Sequence, residues 1–197
     1  LNDVQHAKIN ADGTVGAWTA TTSFVTSRWG HTSVVHNGYV YVLGGFDGSN
    51  RLNDVQYAKI NADGTVGTWN STTPFTTARQ VHTSVVHYGC LYVLGGDDVS
   101  SFLNDVQYAK INADGTIGSW NTTTPFITAR VAHTSVVHNG YVYILGGLGL
   151  NLLNDVQYAK INADGTVGPW NSTTSLLSGR YWHTSIIYSD YLYVLGG

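Results

Sequence analysis

The sequence predicts an all-β protein assembled from four copies of one four-stranded unit. Three observations carry that reading. The stretch "LNDVQ" begins at residues 1, 52, 103 and 153, and each time "AKINADGT" and then a Trp follow (Trp18, Trp69, Trp120, Trp170). All twelve acidic residues are Asp, with no Glu; scarce Lys and Glu beside abundant Val, Thr and Tyr favour strands over helices. Apolar residues alternate over short stretches, and no window carries a stripe of helical period. A repeat near 50 residues points to a solenoid or a propeller.

Within a unit, "HTSVVHNG" and "YVYVLGG" read as the first two strands. A turn pair separates them, Asn37-Gly38 or Asn139-Gly140, of the kind that accepts the positive φ of a tight hairpin. "NDVQYAKI" is the third strand, and "NADG" turns it into a fourth, "TVGTW". The lone cysteine, Cys90, stands where the other copies have Tyr39, Tyr141 and Tyr191. It reads as a packing substitution in a strand, and a single Cys cannot form an internal disulfide.

The unit resembles the kelch repeat, a four-stranded propeller blade. The matching residues are the glycine pairs Gly44-Gly45, Gly95-Gly96, Gly146-Gly147 and Gly196-Gly197; Tyr57, Tyr108 and Tyr158, with His6 in the fourth place; and the four Trp residues. The resemblance covers essentially the whole chain. It implies an innermost His-Thr-Ser strand, a second strand ending at the glycine pair, a third strand on "DVQYAKI" and an outermost Trp strand. Kelch propellers usually have more blades than four.

Four inner hairpins and four outer hairpins can be counted. The expectation is therefore a single propeller domain over 1–197, with repeats 1–51, 52–102, 103–152 and 153–197. A closing blade, made by 183–197 plus 1–18, would remove the exposed edges of an open array. A monomer is the favoured state; a dimer, a longer array or half of a larger ring stays open.

Composition excludes several classes. A net charge of −3 with nine basic residues leaves no electrostatic footprint for nucleic acid. No apolar run approaches the roughly 18 residues of a membrane span. The chain opens on Leu1 without a visible signal peptide, so the expectation is a processed or excised chain. Low charge, no Glu and much Thr, Asn, Gly and Tyr resemble secreted or surface-exposed bacterial repeat proteins. The near-identity of the units suggests recent amplification or design.

Two sets of residues are candidates for function. Arg28, Arg79, Arg130 and Arg180, each followed by a His (His31, His82, His133, His183), would ring a common axis. Four imidazoles could hold a transition metal, and four guanidiniums a carboxylate or phosphate. The competing reading, favoured here, is that each Arg and His bonds loop carbonyls and ties one blade to the next. Ser33, Ser84, Ser135 and Ser185 lie two residues beyond a His, but no acid at fixed spacing and no nucleophile elbow accompany them. A scaffold with no catalytic activity, no cofactor and no resident metal is the expectation.

"NADGT" lacks the ligand number and terminal Glu of a calcium loop and reads as a turn. The Asn-Asp of "LNDVQ" reads as a strand-entry cap. Asn70, Asn121 and Asn171 fit a glycosylation sequon, and are otherwise turn residues.

The second set comes from differences between copies. They cluster after the glycine pair and between Arg and His, two segments that an up-and-down blade places on one face. That face carries Trp29, Phe46, Asp47, Arg51, Asp97, Asp98, Phe102, Tyr181 and Trp182, with Leu148 and Leu150. Aromatics beside polar groups suit recognition of a protein or a glycan.

Overall fold

The computed structural model describes residues 1–197 and contains strands and turns only. A first antiparallel pair, β1 (Val4–His6) with β2 (Thr19–Thr21), stands as a sheet of its own. Three complete blades follow. The first runs β3 (Thr32–His36), β4 (Tyr39–Phe46), β5 (Arg51–Lys59), β6 (Asn70–Thr72). The second runs β7 (Thr83–His87), β8 (Cys90–Asp97), β9 (Phe102–Lys110), β10 (Asn121–Thr123), and the third β11 (Thr134–His138), β12 (Tyr141–Leu145), β13 (Val156–Lys160), β14 (Asn171–Thr173). The chain finishes with a second isolated pair, β15 (Thr184–Tyr188) and β16 (Tyr191–Leu195).

Each blade is an antiparallel meander in sequence order. The inner hairpins turn where expected: Asn37 and Gly38 have φ of 47° and 78°, and Asn139 and Gly140 repeat the pair at 48° and 78°. Two consecutive positive φ values give the turn whose twist matches the flanking strands. In the first two blades the glycine pair marks a register shift, between Leu43 and Gly45 and between Leu94 and Gly96. Gly45 (φ 97°) lies so close to the preceding loop that a Cβ would sit 2.7 Å from the Trp29 carbonyl oxygen. Only glycine fits there.

The outermost strand differs from the sequence expectation. It begins just past the Trp, at Asn70, Asn121 and Asn171, and "TVGTW" contributes only an isolated bridge such as Ile60 to Val66. The Trp indole is the reason: Trp69 Nε1 donates to the Thr22 carbonyl at 2.8 Å. It is turned toward the previous unit, so the chain pairs only once past it. The three Asn residues are therefore strand residues and not turn residues.

The core lies between blades. Tyr41, Leu43, Val55 and Phe75 of the first blade pack with Leu91, Val93, Ala109, Ile111 and Ile117 of the second. Tyr92, Leu94, Val106 and Phe126 pack likewise with Val142, Ile144, Ala159, Ile161 and Trp170 of the third. The second blade thus supplies half of each layer, and burial of these side chains is the main term holding the array together.

The expected closing blade is not formed within the chain. β1 pairs only with β2, and β16 only with β15. Inner strands adjoin in the order β3, β7, β11, β15, and β15 does not adjoin β3. The four units form an open arc. A balanced count of inner and outer hairpins supplies matching ends but does not set the turn from blade to blade, which decides whether four units meet.

Candidate functional site

The recurrent Arg is a fastening inside the blade. Arg79 is fully buried; Nη1 and Nη2 make a two-pronged pair with Asp105, both contacts 2.7 Å, and Nη1 also donates to the Gly95 carbonyl at 2.9 Å. Arg28 holds Asp54 and Arg130 holds Asp155 in the same way. The planar guanidinium matches a carboxylate edge to edge, which Lys cannot do. Burial raises the carboxyl pKa of Asp54 and Asp155, but hydrogen bonds from the Arg and from Gln56 or Gln157 outweigh it and hold both below the usual value. The main chain of the same Arg works outward: Gly45 N–H donates to the Arg79 carbonyl, and Gly96 N–H to that of Arg130. Side chain and backbone of one residue therefore join two blades. Committed to these carboxylates, the guanidiniums of Arg28, Arg79 and Arg130 do not form an axial anion site.

The Asp partners are the residues that sequence reasoning missed. The Asp of "LNDVQ" is the Arg ligand and not a strand cap. A signal was present: Arg and Asp recur at separations of 26, 26 and 25 residues.

The recurrent His joins neighbouring inner strands. The Thr32 hydroxyl meets His82 Nε2 at 3.0 Å; Thr83 meets His133, and Thr134 meets His183, at the same distance. Desolvation, helped by the neighbouring Arg, lowers the pKa of His82 well below normal and takes His133 to about 3. Both rings are neutral at neutral pH. No three His, Cys, Asp or Glu side chains come together as a ligand cluster. The Ser hydroxyls do not engage the His rings: Oγ of Ser84, Ser135 and Ser185 makes no hydrogen bond.

Just before each His the backbone takes a left-handed turn, at Gly30 (φ 64°), Val81 (55°), Ala132 (51°) and Trp182 (56°). These four residues form a collar around the axis: Val81 N–H donates to Gly30 C=O, Ala132 to Val81, and Trp182 to Ala132, at 2.8, 3.2 and 3.0 Å. Positive φ at a β-branched Val is strained, and the collar bonds hold it.

The varied segments meet beside the collar, as the up-and-down blade requires. Trp29 bridges to Phe46 and packs edge-on against it, ring centroids 5.5 Å apart, while 53% of Trp29 stays exposed. Gln80 bridges to Asp97, and Val131 to Leu148. Arg51 of the first blade forms an ion pair with Asp97 of the second. Asp47 and Asp98 each cap their own turn, accepting from the N–H groups of Ser49 and Asn50, and of Ser100 and Ser101. Phe102, Leu150, Tyr181 and Trp182 are exposed. The structure thus gathers Trp29, Phe46, Arg51 and Asp97 at adjoining blade edges, and sets Tyr181 and Trp182 three units away along the collar.

The family model for the KLHDC2/KLHL20/DRC7 kelch-repeats domain matches residues 2–197. The chain belongs to the kelch-repeat family. Among curated kelch relatives, human Kelch-like protein 6 is 31% identical over 94 residues, covering 48% of this chain and 14% of that protein. Kelch-like protein 36 of Rattus norvegicus is 27% identical over 136 residues (66% and 21%), and Beta-scruin of Limulus polyphemus 27% over 121 (60% and 13%). The kelch chain described here therefore spans about a fifth or less of the length of these relatives. The solved structure of YjhT superposes with a TM-score of 0.80 at 16% identity, covering 98% of this chain and 66% of that one. Four kelch units fill about two-thirds of that chain, which agrees with the open arc.

The likeness to YjhT also corrects one expectation, that this kelch chain is not an enzyme. Fold is all that a match at 16% identity shares. The propeller is thus no argument against catalysis, and the expectation of an inactive scaffold does not stand.

Proposed function

We propose that this kelch array is a protein-recognition module whose contact surface is the varied face beside the collar. The observation that carries the reading is the large exposure of aromatic rings there: Trp29 at 53%, Trp182 at 61% and Tyr181 at 41%. The other copies place Gln80, Val81, Val131 and Ala132 at the equivalent positions, so the aromatic rings are particular to these two units. Rigid rings give contact area at little entropic cost and dominate interface energetics. The Arg51–Asp97 pair and the capped turns at Asp47 and Asp98 set fixed charges around them, which favours a polypeptide partner over a neutral glycan. Composition supports placing the module in a secreted or surface-exposed bacterial protein.

The test compares the native chain with a Trp29→Ala/Trp182→Ala variant. Both are immobilised against candidate extracellular proteins and against a glycan array. Proteins retained by the native chain and lost by the variant support the reading. Glycan binding lost by the variant would replace it with sugar recognition, and equal retention by both forms would overturn it.

A further inference from the structure

The connection from the second strand to the third changes chemistry from unit to unit along the varied face. In the first two units it is acidic: residues 46–51 hold Asp47, and residues 97–102 hold Asp97 and Asp98. In the third, residues 148–152 read Leu-Gly-Leu-Asn-Leu and carry no charge. There Gly149 N–H donates to the Asn151 carbonyl at 3.0 Å, and Leu148 bridges to both Val131 and Leu152. This closed turn leaves Leu150 fully exposed at its tip and Leu152 half-exposed. A Cβ at Gly149 would lie 3.1 Å from the Ala129 carbonyl oxygen, so the turn rests on the lead-in loop of its own unit, where Ile127 is also exposed.

The acidic connections keep charge to spare. Asp47 and Asp98 each spend Oδ1 on two N–H groups of their own turn, and those bonds hold both carboxyls below the usual pKa. Arg51, the one cation on these three connections, is paired with Asp97. Three carboxylates against one guanidinium leave them negative. Other cations lie elsewhere: Arg28, Arg79 and Arg130 are turned inward onto their own carboxylates, and Lys59, Lys110 and Lys160 close β5, β9 and β13 on the opposite face. Beside Asp98 a cleft of about 350 Å³ is lined by Arg51, Val99 and the partly exposed Phe102.

We propose that the varied face docks a polypeptide segment of basic and aliphatic character, its Lys or Arg on the Asp47 and Asp98 connections and its aliphatic residues on Leu150, Leu152 and Ile127. The inference rests on the protein-recognition reading above and gives that partner a charge sign and a polarity. A long basic side chain suits the cleft, because its methylene stem can lie along Phe102 and Val99 while its head reaches Asp98. Charge complementarity chooses the sign and speeds encounter. Covering the leucines supplies the larger share of the affinity, since leaving them in water is unfavourable. A partner with the same acidic character is repelled at the first two units, which is how the face discriminates.

The test measures binding of four labelled synthetic peptides of equal length to the native chain by fluorescence anisotropy. They are built on Lys with Leu, Glu with Leu, Lys with Ser, and Ser alone. The Lys–Leu peptide is expected to bind best, and its affinity to fall as salt is raised. Asp47→Asn and Asp98→Asn keep the Oδ1 acceptor of each turn and are each expected to weaken binding about threefold. Leu150→Ser with Leu152→Ser is expected to weaken it by at least about tenfold. All four positions are solvent-facing, and circular dichroism of each variant checks the fold. Preference for the Glu–Leu peptide, equal binding of all four, or no binding of the Lys–Leu peptide overturns the proposal. Each of those results leaves the recognition reading to its own protein panel and the Trp29→Ala/Trp182→Ala variant. Self-association of the native chain without peptide, abolished by Leu150→Ser, would assign the patch to another copy and likewise overturn it.

Discussion

The Thr83 hydroxyl lies 3.0 Å from His133 Nε2, one link in a series that joins each inner strand to the next. His133 is held neutral by desolvation, with a pKa of about 3, and His82 is shifted the same way. In the unfolded chain both titrate near 6.5. Below that pH the unfolded state binds protons that the folded state refuses, so stability is full above about 6.5 and falls as pH drops. Each ring costs about 1.4 kcal/mol per pH unit in that window. Denaturant midpoints measured from pH 7 to 5 are expected to fall steadily, and His82→Gln with His133→Gln to flatten the profile.

Arg79→Met tests the fastening within a blade. It leaves the carbonyl that accepts from Gly45 but strips Asp105 of its guanidinium, so the expected loss is about 3–5 kcal/mol, the usual result of breaking a buried pair. Asp105→Asn keeps an acceptor but leaves the fully buried Arg79 guanidinium without a counter-charge, and should cost as much or more. Chemical denaturation of both variants measures the difference.

Glycine positions separate sterics from backbone strain. At Gly96 (φ 93°) a Cβ would sit 2.6 Å from the Gln80 carbonyl oxygen, whereas at Gly38 (φ 78°) it meets nothing within 4 Å. Gly38→Ala bears only the left-handed cost of about 1–2 kcal/mol. Gly96→Ala adds a backbone clash and is expected to lower the melting temperature several-fold more.

Cys90 is 8% exposed, and burial raises its thiol pKa. A water-soluble disulfide reagent should modify it at neutral pH only at the rate of unfolding, and rapidly in denaturant. Fast labelling of the native protein would contradict its place at the blade interface.

The repeat length, the inner hairpins and the glycine pairs were legible in the sequence because turn chemistry and period-two alternation are local. The outermost strand was misplaced because the Trp indole bonds across to another unit, which no local pattern shows. The Arg–Asp pairs are half legible: Arg stands out, but its carboxylate lies about half a repeat away, in an Asn-Asp that by itself reads as a strand-entry cap. Closure failed for a global reason. A matching strand count does not fix the angle between blades, and no local sequence pattern encodes that angle.

Because each apolar layer is shared by two units, a blade's environment is written in its neighbour and not in its own sheet. An in-register duplication of the coding sequence therefore inserts a unit whose every side chain finds surroundings already tested next door. Array length becomes the trait such a gene can alter with least disturbance, while the few residues between Arg and His diverge freely from copy to copy.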